Sequence, residues 1–198
     1  MTLSLDLYLA LLAFCFVMTG TPGPNNMMVM ASGANFGYRR SLPHIFGIAF
    51  GVIVMVTTVG AGLGKVFELY PVIETVLKWV SLAYLAWLAL KIGRAGTPQA
   101  RAVATPMSFI GAAAFQWVNP KAWGMALSAI AAYAPDHSLA GALVVALTFG
   151  YVGPPTVSLW CLLGVRLREF LTSPARLKAF NWTMAALLIL STLPVLFH

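Results

Sequence analysis

The chain is 198 residues long, 60% hydrophobic and only 9% charged, where soluble domains carry roughly 25% charged residues. With a mean hydropathy of +0.86, this composition excludes a soluble globular domain and predicts an all-α, polytopic membrane protein. The formal charge of +7 in so apolar a chain reads as basic cytoplasmic loops, not as a nucleic-acid surface.

Met1 to Asp6 has no basic residue ahead of the first apolar run, so it does not read as a cleaved signal peptide. Leu7 to Met18 is unbroken and apolar, and Met27 to Ala31 resumes the pattern. Neither arm spans a bilayer alone, since a span needs about 20 residues. Together they form a first segment ending near Phe36, broken at Thr21-Pro22-Gly23-Pro24-Asn25-Asn26. Proline removes a backbone donor and clashes with the preceding turn, so Pro22 and Pro24 would free the carbonyls of Met18 and Gly20. Unpaired backbone groups at membrane depth survive only where they face protein or a water-lined cavity. The break is therefore a candidate binding site.

A second segment runs from about Leu42 to Leu63, with Gly47 and Gly51 in the spacing that lets membrane helices approach closely. Lys65 and Glu68 mark a turn. A third segment, about Val72 to Leu90, carries Glu74 and Lys78 one turn apart, where they can pair. Lys91, Arg94 and Arg101 lie in the link that follows, the best internal boundary of a single transmembrane domain. The fourth segment, about Met107 to Tyr133, is broken at Asn119-Pro120-Lys121. Asp136 and His137 form a polar turn. A fifth segment, about Leu139 to Leu163, holds Gly153, Pro154 and Pro155, and a sixth runs from about Ala179 to Phe197.

Links after the odd segments hold nine basic residues: Arg39, Arg40, Lys91, Arg94, Arg101, Arg166, Arg168, Arg176 and Lys178. Those after the even ones hold Lys65, and Lys78 if the flank is counted. The positive-inside rule makes the odd links cytoplasmic and places both termini outside the cytoplasm. His44, close to Arg39 and Arg40, reads as interfacial.

Segments one and four share an anatomy: an apolar arm of about a dozen residues, a break with proline and asparagine, and a second apolar arm. Pro22 and Pro120, and likewise Gly51 and Gly153, lie about half the chain apart. The pattern predicts six transmembrane helices as two inverted three-helix repeats, about 1–96 and about 102–198, with helices 1 and 4 broken near mid-membrane. Broken helices at matching places in inverted repeats mark the substrate site of many secondary transporters.

Each restarting helix aims unpaired N–H groups and a partial positive charge at the centre, and Lys121 adds a full charge. Proline suits the first helical position and asparagine the cap. This combination suits a carboxylate. Freed carbonyls of Met18, Gly20 and Gln116, with the side-chain oxygens of Asn25, Asn26 and Gln116, suit an ammonium group. The candidate substrate-binding set is Pro22, Gly23, Pro24, Asn25, Asn26, Gln116, Asn119, Pro120 and Lys121, and the expected ligand is a zwitterionic amino acid. The competing reading of the breaks is ordinary packing kinks. Trp79, Trp117 and Trp123 read as packing or interface residues, the last two also as candidate pocket walls.

Cys15 and Cys161 both lie in apolar segments and form no C-x-x-C or metal pattern with the three histidines, so no catalytic residue, metal or cofactor is expected. A membrane enzyme or redox carrier would need such a constellation. A passive channel for the same solutes is the other alternative.

Thr21-Pro22-Gly23-Pro24-Asn25-Asn26, Gly37-x-Arg39-Arg40-Ser41 and Gly47-Ile48-Ala49-x-Gly51 resemble the N-terminal signature of LysE-type exporters. Tyr84-Leu85-x-x-Leu88-x-x-Lys91-Ile92 resembles that family's third helix, and Phe115-Gln116-x-x-Asn119-Pro120-Lys121-Ala122 its fourth. The resemblance covers nearly the whole length. It implies a six-helix inner-membrane carrier that expels amino acids or close derivatives, usually driven by the proton gradient. Asn25-Asn26 and Phe115-Gln116-Trp117-Val118-Asn119 look nearest to the cysteine/O-acetylserine branch. No acidic residue falls in the middle of a predicted span, so the proton carrier is left among Lys121, Glu74 and the substrate itself. The oligomeric state is not legible.

Overall fold

The computed structural model describes residues 4–63, 69–94, 105–134 and 138–191. These residues are helical, with no strand among them. The helices are α1 (Leu5–Gly20), α2 (Pro24–Phe36), α3 (Tyr38–Thr58), α4 (Pro71–Arg94), α5 (Phe109–Phe115), α6 (Pro120–Tyr133), α7 (Leu139–Arg168) and α8 (Pro174–Leu190). A π turn, Val59–Leu63, extends α3, and a 3₁₀ turn, Gln116–Val118, extends α5. Lys65, Glu68, Arg101, Asp136 and His137 lie outside the described residues, as does the Glu74 side chain.

Among the described residues, three helices are long and apolar enough to cross a membrane: Tyr38–Leu63, Thr75–Arg94 and Leu139–Arg168. The pair α1 and α2 reaches span length jointly, bent by 57° at its break. The chain is thus a multi-pass, all-helical membrane protein. The first expected break is present. The second is too, but its leading arm is shorter than the dozen residues expected: α5 holds 7 residues before the 3₁₀ turn.

In lipid, helices gain little from the hydrophobic effect on meeting each other, so close contact between small residues carries the packing. α7 is the central element and packs along α1, α2 and α3. A Cβ at Gly33 of α2 would strike the Cys161 carbonyl oxygen, and one at Gly164 of α7 would strike the Met30 carbonyl oxygen. The predicted Gly47/Gly51 contact is made on α5: a Cβ at Gly47 would strike the Phe109 carbonyl oxygen, and one at Gly51 would lie 2.6 Å from that of Ala113. Gly153 was paired with Gly51 by sequence position, yet a Cβ there meets nothing within 4 Å. α4 packs on α8 through Leu85, Leu88, Ala185 and Leu188.

Cys15 and Cys161 are free, buried thiols in the main apolar core. His44 corrects the interfacial expectation: it is 2% exposed, because α3 turns that face inward beside Ser41 and Ile45.

Candidate functional site

The first break follows from its residues. Thr21 is extended (φ −71°, ψ 151°) and ends α1, its N–H donating to the Val17 carbonyl. Pro24 then restarts the helix at its first position, where its missing N–H costs nothing. The cap is not asparagine, as expected, but Gly23, extended at φ 175° and making no side-chain cap bond. Both asparagines are thereby released for other work. Asn26 Nδ2 donates backward to the Thr19 and Thr21 carbonyls at 2.7 and 2.8 Å, tying α2 to the end of α1. Asn25 reaches across to the other break.

There Asn119 does cap its helix. It is extended (φ −99°, ψ 104°), its Oδ1 accepts from the Lys121 N–H, and Pro120 holds the first helical position of α6. Asn25 and Gln116 form a reciprocal amide pair: Asn25 Nδ2 donates to Gln116 Oε1 at 2.9 Å, and Gln116 Nε2 donates to Asn25 Oδ1 at 3.1 Å. Gln116 also donates to the Ala112 carbonyl and is fully buried.

Lys121 lies across the first break. Its Nζ donates to the Thr21 carbonyl and Thr21 Oγ1, both at 2.8 Å, and to the Pro22 carbonyl at 3.2 Å. Its stem lies so close over Gly23 that a Cβ there would be 2.6 Å from Lys121 Cδ. The two breaks are therefore adjacent, as the sequence predicts, but the lysine already has acceptors. It neutralises the carbonyl end of α1, where the helix dipole is negative. Charge-assisted bonds are each worth about 1.5–3 kcal/mol.

The carbonyls expected to be free are mostly occupied. Thr21 Oγ1 donates to the Met18 carbonyl, Trp160 Nε1 donates to that of Gly20 at 3.0 Å, and the Asn119 N–H donates to that of Gln116. Among the described residues, the unpaired polar atom at this site is one of the expected side-chain oxygens. Asn26 is 3% exposed and its Oδ1 is buried without a hydrogen-bond partner.

One cavity touches both breaks. Gly23, Asn25, Asn26, Asn119 and Lys121 are part of its lining. Ile48, Val52, Met125, Phe149 and Val157 give it an apolar wall, and Gly153 lines it too. Pro22, Pro24, Gln116 and Pro120 do not line it. The cavity has about 40 Å³ of room for water-sized spheres, whereas a single water needs about 10–15 Å³ on that measure. It holds a few waters, so admitting an amino acid requires the breaks to move apart.

Residues that sequence reading missed are Thr19, Thr156 and Trp160. Thr19 Oγ1 lies 2.8 Å from Thr156 Oγ1, fastening α1 to α7. Only a tertiary contact marks them; nothing local distinguishes them from other membrane threonines. Trp117 and Trp123 are packing residues: Trp123 Nε1 donates to the Trp117 carbonyl and the rings meet edge-on at 5.6 Å.

The LysE type translocator family model matches residues 16–197, which contain both breaks, the lysine and the cavity. The chain belongs to the LysE type translocator family. It is a translocator and not an enzyme. It is 28% identical over 186 residues to a cysteine/O-acetylserine efflux protein of Klebsiella pneumoniae subsp. pneumoniae, covering 91% of this chain and 92% of that one. It is equally 28% identical over 172 residues to the protein of that name from Escherichia coli K12, covering 85% and 87%. No solved structure matches the chain.

Proposed function

We propose that this translocator is a secondary transporter that exports small amino acids or close derivatives from the cytoplasm across the inner membrane. Cysteine and O-acetylserine, named for its relatives, are the leading solutes. The observation that carries the reading is one cavity lined by both Lys121 and Asn26, whose buried Oδ1 has no hydrogen-bond partner. A zwitterion brings a carboxylate for the first and an ammonium for the second. The solute's carboxylate replaces the Thr21 and Pro22 carbonyls on Lys121, which releases the end of α1. Binding and opening are thereby coupled. The apolar wall takes the side chain.

Six spans as inverted repeats, both termini outside the cytoplasm, are the topology this reading uses. Its support is the partnering of α3 with α5, of α7 with α1 and α2, and of α4 with α8. Protons are the proposed coupling ion. Lys121, Glu74 and the solute's own titrating group are the available carriers.

A counterflow screen of all amino acids and O-acetylserine in proteoliposomes, at two pH values, tests the reading. Transient accumulation of a small neutral solute is expected. Equilibration without accumulation would make the protein a channel, and no flux of any amino acid would remove the reading altogether.

A further inference from the structure

A second, larger chamber of about 810 Å³ opens between α2, α3, α4 and α5. That is the size of a small-molecule site, about 300–1,000 Å³. Phe36, Lys91 and Arg94, at the ends of α2 and α4, line it. Its charge is one-sided. α4 contributes Lys91 and Arg94 and α3 contributes His44, α2 presents Ser32 and Asn35, and α5 and the approach to it present Thr105 and Ser108. No acidic side chain lines the chamber among the described residues. Lys91 Nζ stands 5.2 Å over the Trp87 ring, which holds the cation against the chamber wall.

His44 is the second observation. It lines the chamber, is 2% exposed, and neither Nδ1 nor Nε2 has a hydrogen-bond partner. A buried polar atom without a partner costs about 1–3 kcal/mol. Native proteins keep few of them, and each calls for an explanation, a bound partner being one. Ile45, the neighbour of His44, and Ile48 one turn further along α3 line the central cavity.

We propose that this chamber is a second solute site, a carboxylate-binding antechamber in which Lys91 and Arg94 draw in the anionic group and the His44 ring hydrogen-bonds to it. The solute class is a small carboxylate-bearing molecule, and the inference rests on the transporter reading above for its place in export. Loading here precedes transfer past the Asn25–Gln116 pair to Lys121.

The test uses full-length protein carrying Thr105→Cys at the exposed rim of the chamber, in a Lys121→Met background that disables the central site. Cys15 and Cys161 are buried, so a thiol reagent reads the new cysteine. L-alanine and propionate are expected to slow its alkylation, and ethylamine, which lacks the carboxylate, is not. His44→Leu is expected to raise the half-protecting concentration about tenfold, the equivalent of one lost hydrogen bond to a charged group. His44→Gln, which keeps a donor, should recover most of the protection and controls for misfolding. No protection by propionate, equal protection by ethylamine, or unchanged protection in His44→Leu would each overturn the proposal. Protection here with no counterflow by the wild-type protein would sink the transporter reading and leave the site standing; wild-type counterflow without protection here would do the reverse.

Discussion

The Lys121 ammonium group lies 2.8 Å from the carbonyl oxygen of Thr21, joining two helix breaks 100 residues apart in sequence. The cation sits at the negative end of α1, so the closed arrangement satisfies both the dipole and the charge. Any solute carboxylate must compete with this bond. In the proposed export cycle Lys121 is a latch in the closed form and the anion site in the open one.

Thr21 contributes a hydroxyl as well as its carbonyl to that latch. Thr21→Val removes the hydroxyl and keeps the backbone acceptors. The loss of one charge-assisted bond, about 1.5–3 kcal/mol, weakens the closed form. Purified Thr21→Val protein should melt at lower temperature, and its solute affinity should rise because the competitor is weaker. Both are read from thermal unfolding with and without solute.

The Asn25–Gln116 pair makes two side-chain bonds between α2 and the turn after α5. Asn25→Leu and Gln116→Leu should each destabilise, because the first leaves the buried Gln116 Oε1 without its donor and the second leaves the half-buried Asn25 amide without its partner. The double variant should cost less than their sum, with a coupling of about 0.5–3 kcal/mol. A melting-temperature cycle measures it, and strict additivity would mean the two amides do not act together.

Gly164 of α7 faces the Met30 carbonyl oxygen with no room for a methyl group. Gly164→Ala must push α2 and α7 apart and should cost about 1–3 kcal/mol. Reduced membrane yield and an earlier thermal transition are the expected readouts.

Gly153 is the contrasting case, since a Cβ there meets nothing and the residue lines the cavity. Gly153→Ala should fold normally and shrink the cavity. Selectivity in competition counterflow should then shift toward solutes with smaller side chains, by about tenfold for a lost methylene-sized space.

Much of this site was legible because proline chemistry is local. Pro24 and Pro120 each begin a helix where their missing N–H costs nothing, and Asn119 caps as its type predicts. The Gly47/Gly51 spacing likewise announced a close helix contact, found on α5. What the sequence could not reveal depended on partners distant in the chain. Asn25 and Lys121 both look free for a ligand, yet Asn25 pairs with Gln116 and Lys121 already holds Thr21. His44 read as interfacial from its distance to Arg39 and Arg40, whereas helix rotation, invisible in a linear pattern, buries it. Gly51 and Gly153 occupy matching sequence positions yet face a packed helix and an open cavity respectively.

The most direct measurement of the central claim is cysteine and O-acetylserine counterflow with Lys121→Met protein, compared with wild type at equal, verified membrane insertion. The account predicts that the wild type accumulates solute and that the variant, having lost the only cation on the central cavity among the described residues, accumulates none. Wild-type counterflow persisting in Lys121→Met would contradict it.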